Sequence, residues 1–183
     1  MRRLHYAEAL ERAEILAKLS AFDPHIVGTP PLGLDLPESD IDILCFAPDA
    51  DAFARAVWDA FGTREGFRVW QWIGSDRPVV ATFADAGWTI EVFGQARPIP
   101  EQSGWRHFIV ERRLLAFGGE AFRLAVLARR HDGMKTEPAF AAVLGLTGDP
   151  YEALLGLAAR PDAELTSLLT DRGFSGGLAS SPR

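Results

Sequence analysis

The sequence is poor in cysteine, since Cys45 is the only one among 183 residues. A single thiol cannot form a disulfide within the chain, and it cannot supply the cysteine set of a structural zinc site. Cys45 stands in the apolar run Ile43–Phe46. We therefore expect a buried and chemically inert thiol, because apolar surroundings keep a thiol protonated.

Long apolar segments are also missing. No stretch approaches the ~20 apolar residues that a membrane-spanning helix needs. The segment Met1–Tyr6 is basic but lacks the apolar core of a signal peptide. We expect a cytoplasmic protein that has no association with membranes.

The chain has no excess of positive charge. It carries 19 lysines and arginines against 25 aspartates and glutamates, which gives a net charge of −6. Proteins that bind nucleic acids without sequence preference need a basic surface to neutralise phosphates. Non-specific nucleic-acid binding is therefore not expected, and the composition favours small molecules or proteins as partners.

The residues that are present suit a globular protein. Hydrophobic residues make up 48% of the chain and charged residues 24%, which fits one domain or one domain with a helical appendage. We predict an α/β core over residues 1–97, a helical region over residues 98–172 that packs on this core, and a flexible tail over residues 173–183.

The first half of the chain alternates helical and strand patterns. Apolar residues at helical spacing predict amphipathic helices over Tyr6–Leu19 and Ala50–Phe61. Short apolar runs predict buried strands at His25–Val27 and Ile41–Phe46.

Three further segments are rich in β-branched and aromatic residues, namely Phe67–Ile73, Pro78–Ala84 and Trp88–Phe93. Asp85–Gly87 is typical of a tight turn between the last two, so the three segments predict an antiparallel meander. The order of elements predicts an α+β fold, in which a mixed sheet of about five strands has helices on one face.

The second half shows helical patterns. Helices are predicted over Glu101–Phe117 and Glu120–Arg130, with two glycines between them. Pro138 suits the first turn of another helix. Asp149 followed by Pro150 predicts the start of one more, because aspartate caps helices and proline is tolerated at their first position.

The most informative segment runs from Gly28 to Asp42 and reads GTPPLGLDLPESDID. If a strand begins at Ser39, Asp40 and Asp42 project from the same face, because strand side chains alternate. Two adjacent carboxylates repel each other. A bound divalent cation that prefers oxygen ligands, such as Mg²⁺, would stabilise the pair.

This spacing resembles the nucleotidyltransferase superfamily, whose members carry a Gly-Ser pair, a loop, Ser-Asp-x-Asp on a strand and a third acid on a later strand. Gly28-Thr29 and Ser39–Asp42 match the first two motifs, and Glu91 would be the third acid. The resemblance implies a polymerase-β-like minimal nucleotidyltransferase fold. It also implies transfer of a nucleoside monophosphate from an NTP to a small-molecule or protein acceptor, assisted by two Mg²⁺ ions.

The resemblance also implies roles for individual residues. Three acids would be catalytic and would hold the metal ions, with the third serving as general base: Asp40, Asp42 and Glu91. Nucleotide binding would involve Gly28, Thr29 and Ser39.

The chain as a whole is similar to an uncharacterised bacterial domain-of-unknown-function family. The similarity lies in the Gly-Thr-x-Pro-Leu-Gly-x-Asp loop and in a later TEPAFA and GDPYEALL stretch. The similarity to that family implies an architecture more than a substrate.

Structural explanations exist for each motif taken alone. Ser-Asp before a strand is a common turn, and Glu91 could face solvent on an edge strand. His25, His107 and His131 have no ligand spacing and are interpreted as structural or surface groups. Four tryptophans could line an acceptor pocket or pack in the core: Trp70, Trp72, Trp88 and Trp105.

Two features of the loop leave a second interpretation open. Pro30 and Pro31 have no N–H with which to bind phosphate, and residues 28–40 include no lysine or arginine. The alternative is a catalytically inactive binding or interaction module on the same fold. A weaker third hypothesis is a metal-dependent phosphoesterase that uses the same carboxylates.

Overall fold

The structure is a computed structural model that describes residues 3–73 and 76–176. The chain divides into two compact units, Met1–Trp105 and Arg106–Arg183. The sequence-based boundaries at residues 97 and 172 stay predictions.

The first unit is built around a five-stranded mixed sheet. Its strands are β1 (His25–Val27), β2 (Ile41–Phe46), β3 (Glu65–Gln71), β4 (Val79–Asp85) and β5 (Trp88–Gln95). They lie in the order β1-β2-β5-β4-β3. Strands β2 and β5 are parallel, and all other neighbours are antiparallel. The predicted meander and the predicted mixed sheet are both confirmed.

Three α-helices belong to this unit: α1 (Tyr6–Arg12), α2 (Ile15–Lys18) and α3 (Ala50–Phe61). Short 3₁₀ helices occur at Ser20–Phe22, Pro30–Leu32 and Ile99–Glu101. The Asp49 carboxylate caps α3 by accepting a hydrogen bond of 2.9 Å from the Ala52 N–H. This cap fixes the start of α3 where the sequence predicts it.

The single helix predicted over Tyr6–Leu19 is wrong, because the chain breaks between α1 and α2. Glu14 adopts the left-handed conformation with φ of 54°. In one continuous helix, Ile15 would lie about 120° around the axis from Ala9, since each residue turns the helix by 100°. The break turns Ile15 and Leu19 back into the core, where both are fully buried.

The core lies on one face of the sheet. Alternate residues of β2 and β5 pack there against α1, α2 and α3 in one hydrophobic cluster, which confirms the helices predicted on one face. Cys45 belongs to this cluster and is fully buried. Burial, aided by the charge of Asp23, raises the pKa of the Cys45 thiol to about 12, so the thiol is inert as predicted.

The second unit is helical. Helix α4 (Ser103–His131) is interrupted at Gly119, where φ is 67°, and this interruption confirms the separation predicted at the two glycines. Three helices follow: α5 (Thr136–Leu144), α6 (Pro150–Ala158) and α7 (Asp162–Asp171). The cap of α6 is confirmed, since the Asp149 side chain accepts hydrogen bonds from Tyr151 and Glu152. Helix α7 was not predicted.

The predicted tail, residues 173–183, lies outside the described residues after position 176. At the described end, the Gly176 N–H donates a hydrogen bond of 2.8 Å to the Phe117 carbonyl. Within residues 3–73 and 76–176, no helix is long and apolar enough to cross a membrane.

Candidate active site

Asp42 and Glu91 lie side by side on the two parallel strands of the sheet. They are partners in the register of β2 and β5. Their neighbours along both strands, such as Ile43 and Ile90, are fully buried. The two carboxylates therefore project from the opposite face, on strands about 4.8 Å apart. The structure brings these two predicted site residues together.

Asp40 lies just outside this pair. Strand β2 begins at Ile41 and not at Ser39, so Asp40 precedes the strand. Burial raises the pKa of the Glu91 carboxyl, and the negative charge of Asp40 raises it further. Asp40 is therefore close enough to repel Glu91, and a cation between them would relieve this repulsion.

Gly28 is packed against the Asp42 carboxylate. Its φ of +76° is a conformation that side chains rarely adopt, and a Cβ atom at this position would overlap Oδ2 of Asp42. The glycine predicted to open the nucleotide-binding motif thus allows close approach of the backbone to an acid of the site.

The turn after Gly28 differs from a phosphate-binding helix. Thr29 is only 8% exposed, and its carbonyl accepts hydrogen bonds of 3.1 Å from Leu32 and Leu34. The Gly33 N–H donates to the Pro30 carbonyl. Since both prolines lack an N–H, the backbone donors of residues 30–34 are either absent or used within the turn.

Ser39 shapes the loop that leads to Asp40. Its hydroxyl accepts a hydrogen bond of 2.8 Å from the Leu36 N–H. The Ser39 carbonyl accepts a second hydrogen bond, of 2.6 Å, from Arg3. A position predicted to bind nucleotide therefore also has a structural role.

Arg3 is a residue of this site that the sequence interpretation missed. Its guanidinium donates hydrogen bonds of 2.7 Å to the carbonyls of Leu36 and Pro37, in addition to that of Ser39. It also lies over the ring of Trp88, 3.2 Å from the ring centroid. Arg3 therefore links the loop before β2 to the first residue of β5.

The next residue extends this link. The Leu4 N–H donates to the Ala86 carbonyl at 3.3 Å, and the Trp88 indole donates to the Leu4 carbonyl at 2.8 Å. Trp88 is accordingly only 4% exposed and structural. Arg3 and Leu4 form what we call the N-terminal strap, which ties together the two segments that carry the acids.

Replacing Arg3 with alanine is expected to destabilise the protein by about 1.5–3 kcal/mol, because three backbone carbonyls would lose hydrogen bonds from a charged donor. Urea unfolding measures the loss, and hydrogen exchange of residues 36–40 shows where the loop opens. Arg55→Ala is the matched control, since Arg55 is exposed on α3. Equal losses in the two variants, or unchanged exchange in the loop, would contradict the role of the strap.

The three acids have the chemistry of a magnesium site, since Mg²⁺ prefers carboxylate oxygens. Across residues 3–73 and 76–176, however, no three His, Cys, Asp or Glu side chains are grouped closely enough to hold an ion. The register fixes Asp42 beside Glu91, whereas the side-chain torsions decide whether their oxygens and those of Asp40 converge. The donor types fit Mg²⁺, and a shared ion requires these side chains to turn toward one point.

The predicted structural histidines have contacts that fit this role. The ring of His25 lies 4.9 Å from that of Trp105, and its Nε2 is 3.0 Å from Oδ1 of Asp23. Nε2 of His107 is 3.1 Å from the carbonyl oxygen of Tyr151. These contacts explain both histidines without a ligand.

In the second unit, Glu111 is an acid that the sequence interpretation did not single out. It is only 4% exposed, and its Oε1 has no hydrogen-bond partner in the described part of the chain. Burial raises the pKa of the Glu111 carboxyl well above its ordinary value. The charge of Glu137 raises it further, whereas Arg130 lowers it. A glutamate in a helical segment gives no sign in the sequence that it will be buried.

The sequence matches the family described as Domain of unknown function (DUF4269) over residues 8–157. The chain belongs to the DUF4269 family. No curated protein matches it. This match confirms the membership of a domain-of-unknown-function family that the loop motif predicts.

Solved structures with a similar fold include a Cid1 poly(U) polymerase and a GLD-2/RNP-8 complex. A Cid1 poly(U) polymerase with MgGTP bound superposes with a TM-score of 0.55 at 15% identity, over 82% of this chain and 47% of the polymerase. A GLD-2/RNP-8 complex gives 0.54 at 11% identity, over 88% and 74%. Cid1 with its short product ApU gives 0.53 at 15% identity, over 82% and 46%.

These likenesses establish that the DUF4269 chain has a nucleotidyltransferase fold, as the sequence motifs imply. The chain spans about half the length of the poly(U) polymerase (47%). Identities of 11–15% describe the fold and not the reaction.

Proposed function

We propose that this protein is a Mg²⁺-dependent nucleotidyltransferase, which moves a nucleoside monophosphate from an NTP to a small-molecule or protein acceptor. The observation that supports this best is the pairing of Asp42 with Glu91 on parallel central strands of a nucleotidyltransferase fold. The charge of Asp40 acting on Glu91 adds the third acid expected of such a site.

The chain's own residues supply most of the proposed chemistry. Asp40 and Asp42 would hold the ion at the triphosphate, and Glu91 would complete a second site near the acceptor. Bound Mg²⁺ would neutralise charge on the phosphates. Glu91 would accept the proton of the acceptor hydroxyl while that oxygen bonds to the α-phosphorus and pyrophosphate leaves.

Phosphate recognition would differ from that of a helix N-terminus. The backbone donors of the proline turn are used or absent, so the loop contributes mainly through Thr29, Gly28 and Ser39. Thr29 retains a hydroxyl that can donate a hydrogen bond. We expect nucleotide affinity to depend on the ion more than on this loop.

Asp42→Asn should raise the Kd for Mg²⁺–NTP at least tenfold, because the amide removes a charged ligand at the centre of the site. Isothermal titration with the common NTPs measures this. Asp59→Asn is the matched control, since Asp59 is exposed on α3, and it should bind as the wild type does. Absence of NTP binding by the wild type at millimolar Mg²⁺ would contradict the proposed function.

The products separate transfer from hydrolysis. With an α-labelled NTP, a transferase attaches the label to an acceptor and releases pyrophosphate. Release of free inorganic phosphate without a labelled acceptor would instead favour a phosphoesterase that uses the same carboxylates.

Two observations favour a second candidate, an inactive binding or interaction module. The proline turn offers no backbone donors from residues 30–34, and in the described residues the acids are not grouped around one point. Such a module would tolerate Asp40→Ala and Glu91→Ala without loss of function. Loss of Mg²⁺–NTP binding in either variant would exclude it.

A further inference from the structure

Three aromatic side chains continue the acid-bearing face of the sheet toward its β3 edge. Phe93 follows Glu91 by two positions on β5, and the register places Trp70 and Val80 in one row with Phe93. Trp72 meets Phe93 edge to face, with 6.2 Å between the ring centroids. We refer to Trp70, Trp72 and Phe93 as the aromatic strip.

The aromatic strip is open to solvent at its two tryptophans. Trp70 is 39% exposed and Trp72 is 55% exposed. By contrast, Val80 in the same row is only 1% exposed. Covering an indole ring with a partner lowers the free energy, because apolar surface leaves the water. Two exposed indoles side by side, on a face that also carries acids, therefore indicate a binding surface.

Arg68 lies beside the strip, on the row of the acids. Arg68 pairs with Thr82, and Thr82 pairs with Glu91, which places Arg68 two strands, or about 10 Å, from Glu91. Arg68 is exposed. The face therefore combines an acid, an aromatic surface and a guanidinium that can itself stack on a planar ring.

We infer that the aromatic strip is the acceptor subsite, and that it takes a small molecule with a planar aromatic ring and a hydroxyl group. This inference rests on the proposed function, which puts the acceptor hydroxyl at Glu91. Phe93 lies about 7 Å from Glu91 along the strand. The distance between a ring on the aromatic strip and a hydroxyl at Glu91 therefore matches the length of a nucleoside or a similar aromatic alcohol.

Charge argues against a polynucleotide on this surface. The protein carries a net charge of −6, and the row of the acids adds one arginine. A nucleic-acid chain requires several cations along its backbone, whereas a small aromatic alcohol requires none.

Charge also argues against a second copy of this chain. Strand β3 is at the edge of the sheet, and it exposes Glu65 and Arg68. Charged side chains on an edge strand oppose pairing between chains. These charges therefore oppose an extension of the sheet by a second copy next to the strip.

The test is ligand-observed NMR titration of the full chain with adenosine and uridine, in the presence of Mg²⁺ and saturating α,β-methylene-ATP. Ribose is the matched ligand that lacks the ring. Both nucleosides should bind and ribose should not. Trp72→Ala should weaken binding about tenfold or more, the contribution of one stacked base, and Trp72→Phe should restore most of it.

Trp58→Ala is the matched protein control. Trp58 is 60% exposed on α3, where it contacts Phe67 on the face opposite the acids, and its loss should leave nucleoside binding unchanged. Nucleoside binding that is absent, or equal in wild type and Trp72→Ala, would overturn the inference. So would a dimer that becomes a monomer in Trp72→Ala, measured by light scattering.

A separate titration with Mg²⁺–ATP distinguishes this inference from the proposed function. Wild type and Trp72→Ala should bind Mg²⁺–ATP equally. Weaker binding by Trp72→Ala would assign the strip to the NTP and overturn the acceptor subsite, while the proposed function would stand. No binding of Mg²⁺–ATP by the wild type would instead remove the proposed function itself.

Discussion

Replacing Glu91 with glutamine should abolish most nucleotidyl transfer while leaving the protein at least as stable as the wild type. A general base contributes about 10²- to 10⁴-fold to a rate, and a glutamine amide cannot accept the proton. Stability should not fall with activity, because burial and the charge of Asp40 raise the Glu91 pKa. Above the ordinary pKa of a glutamate, the ionised side chain therefore costs free energy in the folded protein.

Paired assays measure the two effects. Transfer is followed with an α-labelled NTP, and stability by thermal unfolding at neutral pH. Glu65→Gln is the control, since Glu65 is exposed on β3 and should change neither quantity. If Glu91→Gln destabilised the fold, or if transfer persisted, Glu91 would be a structural residue and not the base.

Replacing Glu111 with glutamine should stabilise the protein at neutral pH and reduce the dependence of its stability on pH. The raised pKa of Glu111 means that the folded state binds its proton more tightly than the unfolded state does. Stability is therefore highest below the unfolded pKa and falls as the pH rises toward the folded pKa. Glutamine does not ionise and therefore removes this loss, which amounts to about 1.4 kcal/mol for each unit by which the pKa is raised.

Urea unfolding at about pH 5 and about pH 8, on either side of neutrality, measures this difference. Glu164→Gln is the matched control, because Glu164 is exposed on α7 and such surface changes stay within about 0.5 kcal/mol. If the wild type were more stable at the higher pH and Glu111→Gln abolished this difference, the direction of the Glu111 pKa shift would be contradicted. Equal pH profiles for Glu111→Gln and the wild type would show that Glu111 does not cause the pH dependence of the stability.

The strands and their pairing could be predicted because their sequence signals are local. The apolar alternation of Trp88–Gln95 buries Ile90 and Val92 and leaves Glu91 half-buried on the other face. The same alternation in β2 orients Asp42. Two acids on the outer face of neighbouring strands follow from these patterns once the resemblance supplies the order of the strands.

The N-terminal strap could not be predicted, because its bonds leave no pattern in the sequence. Arg3 binds backbone carbonyls 33–36 positions away, and every residue has a carbonyl. The break at Glu14 is similar, since apolar residues occur on both sides of it at helical spacing and no glycine or proline marks it.

Helix α7 was missed for a related reason. Its threonines, Thr166 and Thr170, are weak helix formers, and their hydroxyls donate to carbonyls four residues earlier. The helix exists because Leu165 and Leu169 are fully buried. Tertiary packing thus overrides a modest local preference.

The parallel pairing of β2 with β5 has a consequence for the order in which the chain folds. Asp42 and Glu91 are 49 positions apart (91 − 42), and β5 fills the gap between β2 and β4. On a ribosome, a nascent chain that ends before β5 has an incomplete sheet with two exposed inner edges. The pairing of Asp42 with Glu91 therefore forms only at the step that also completes the sheet.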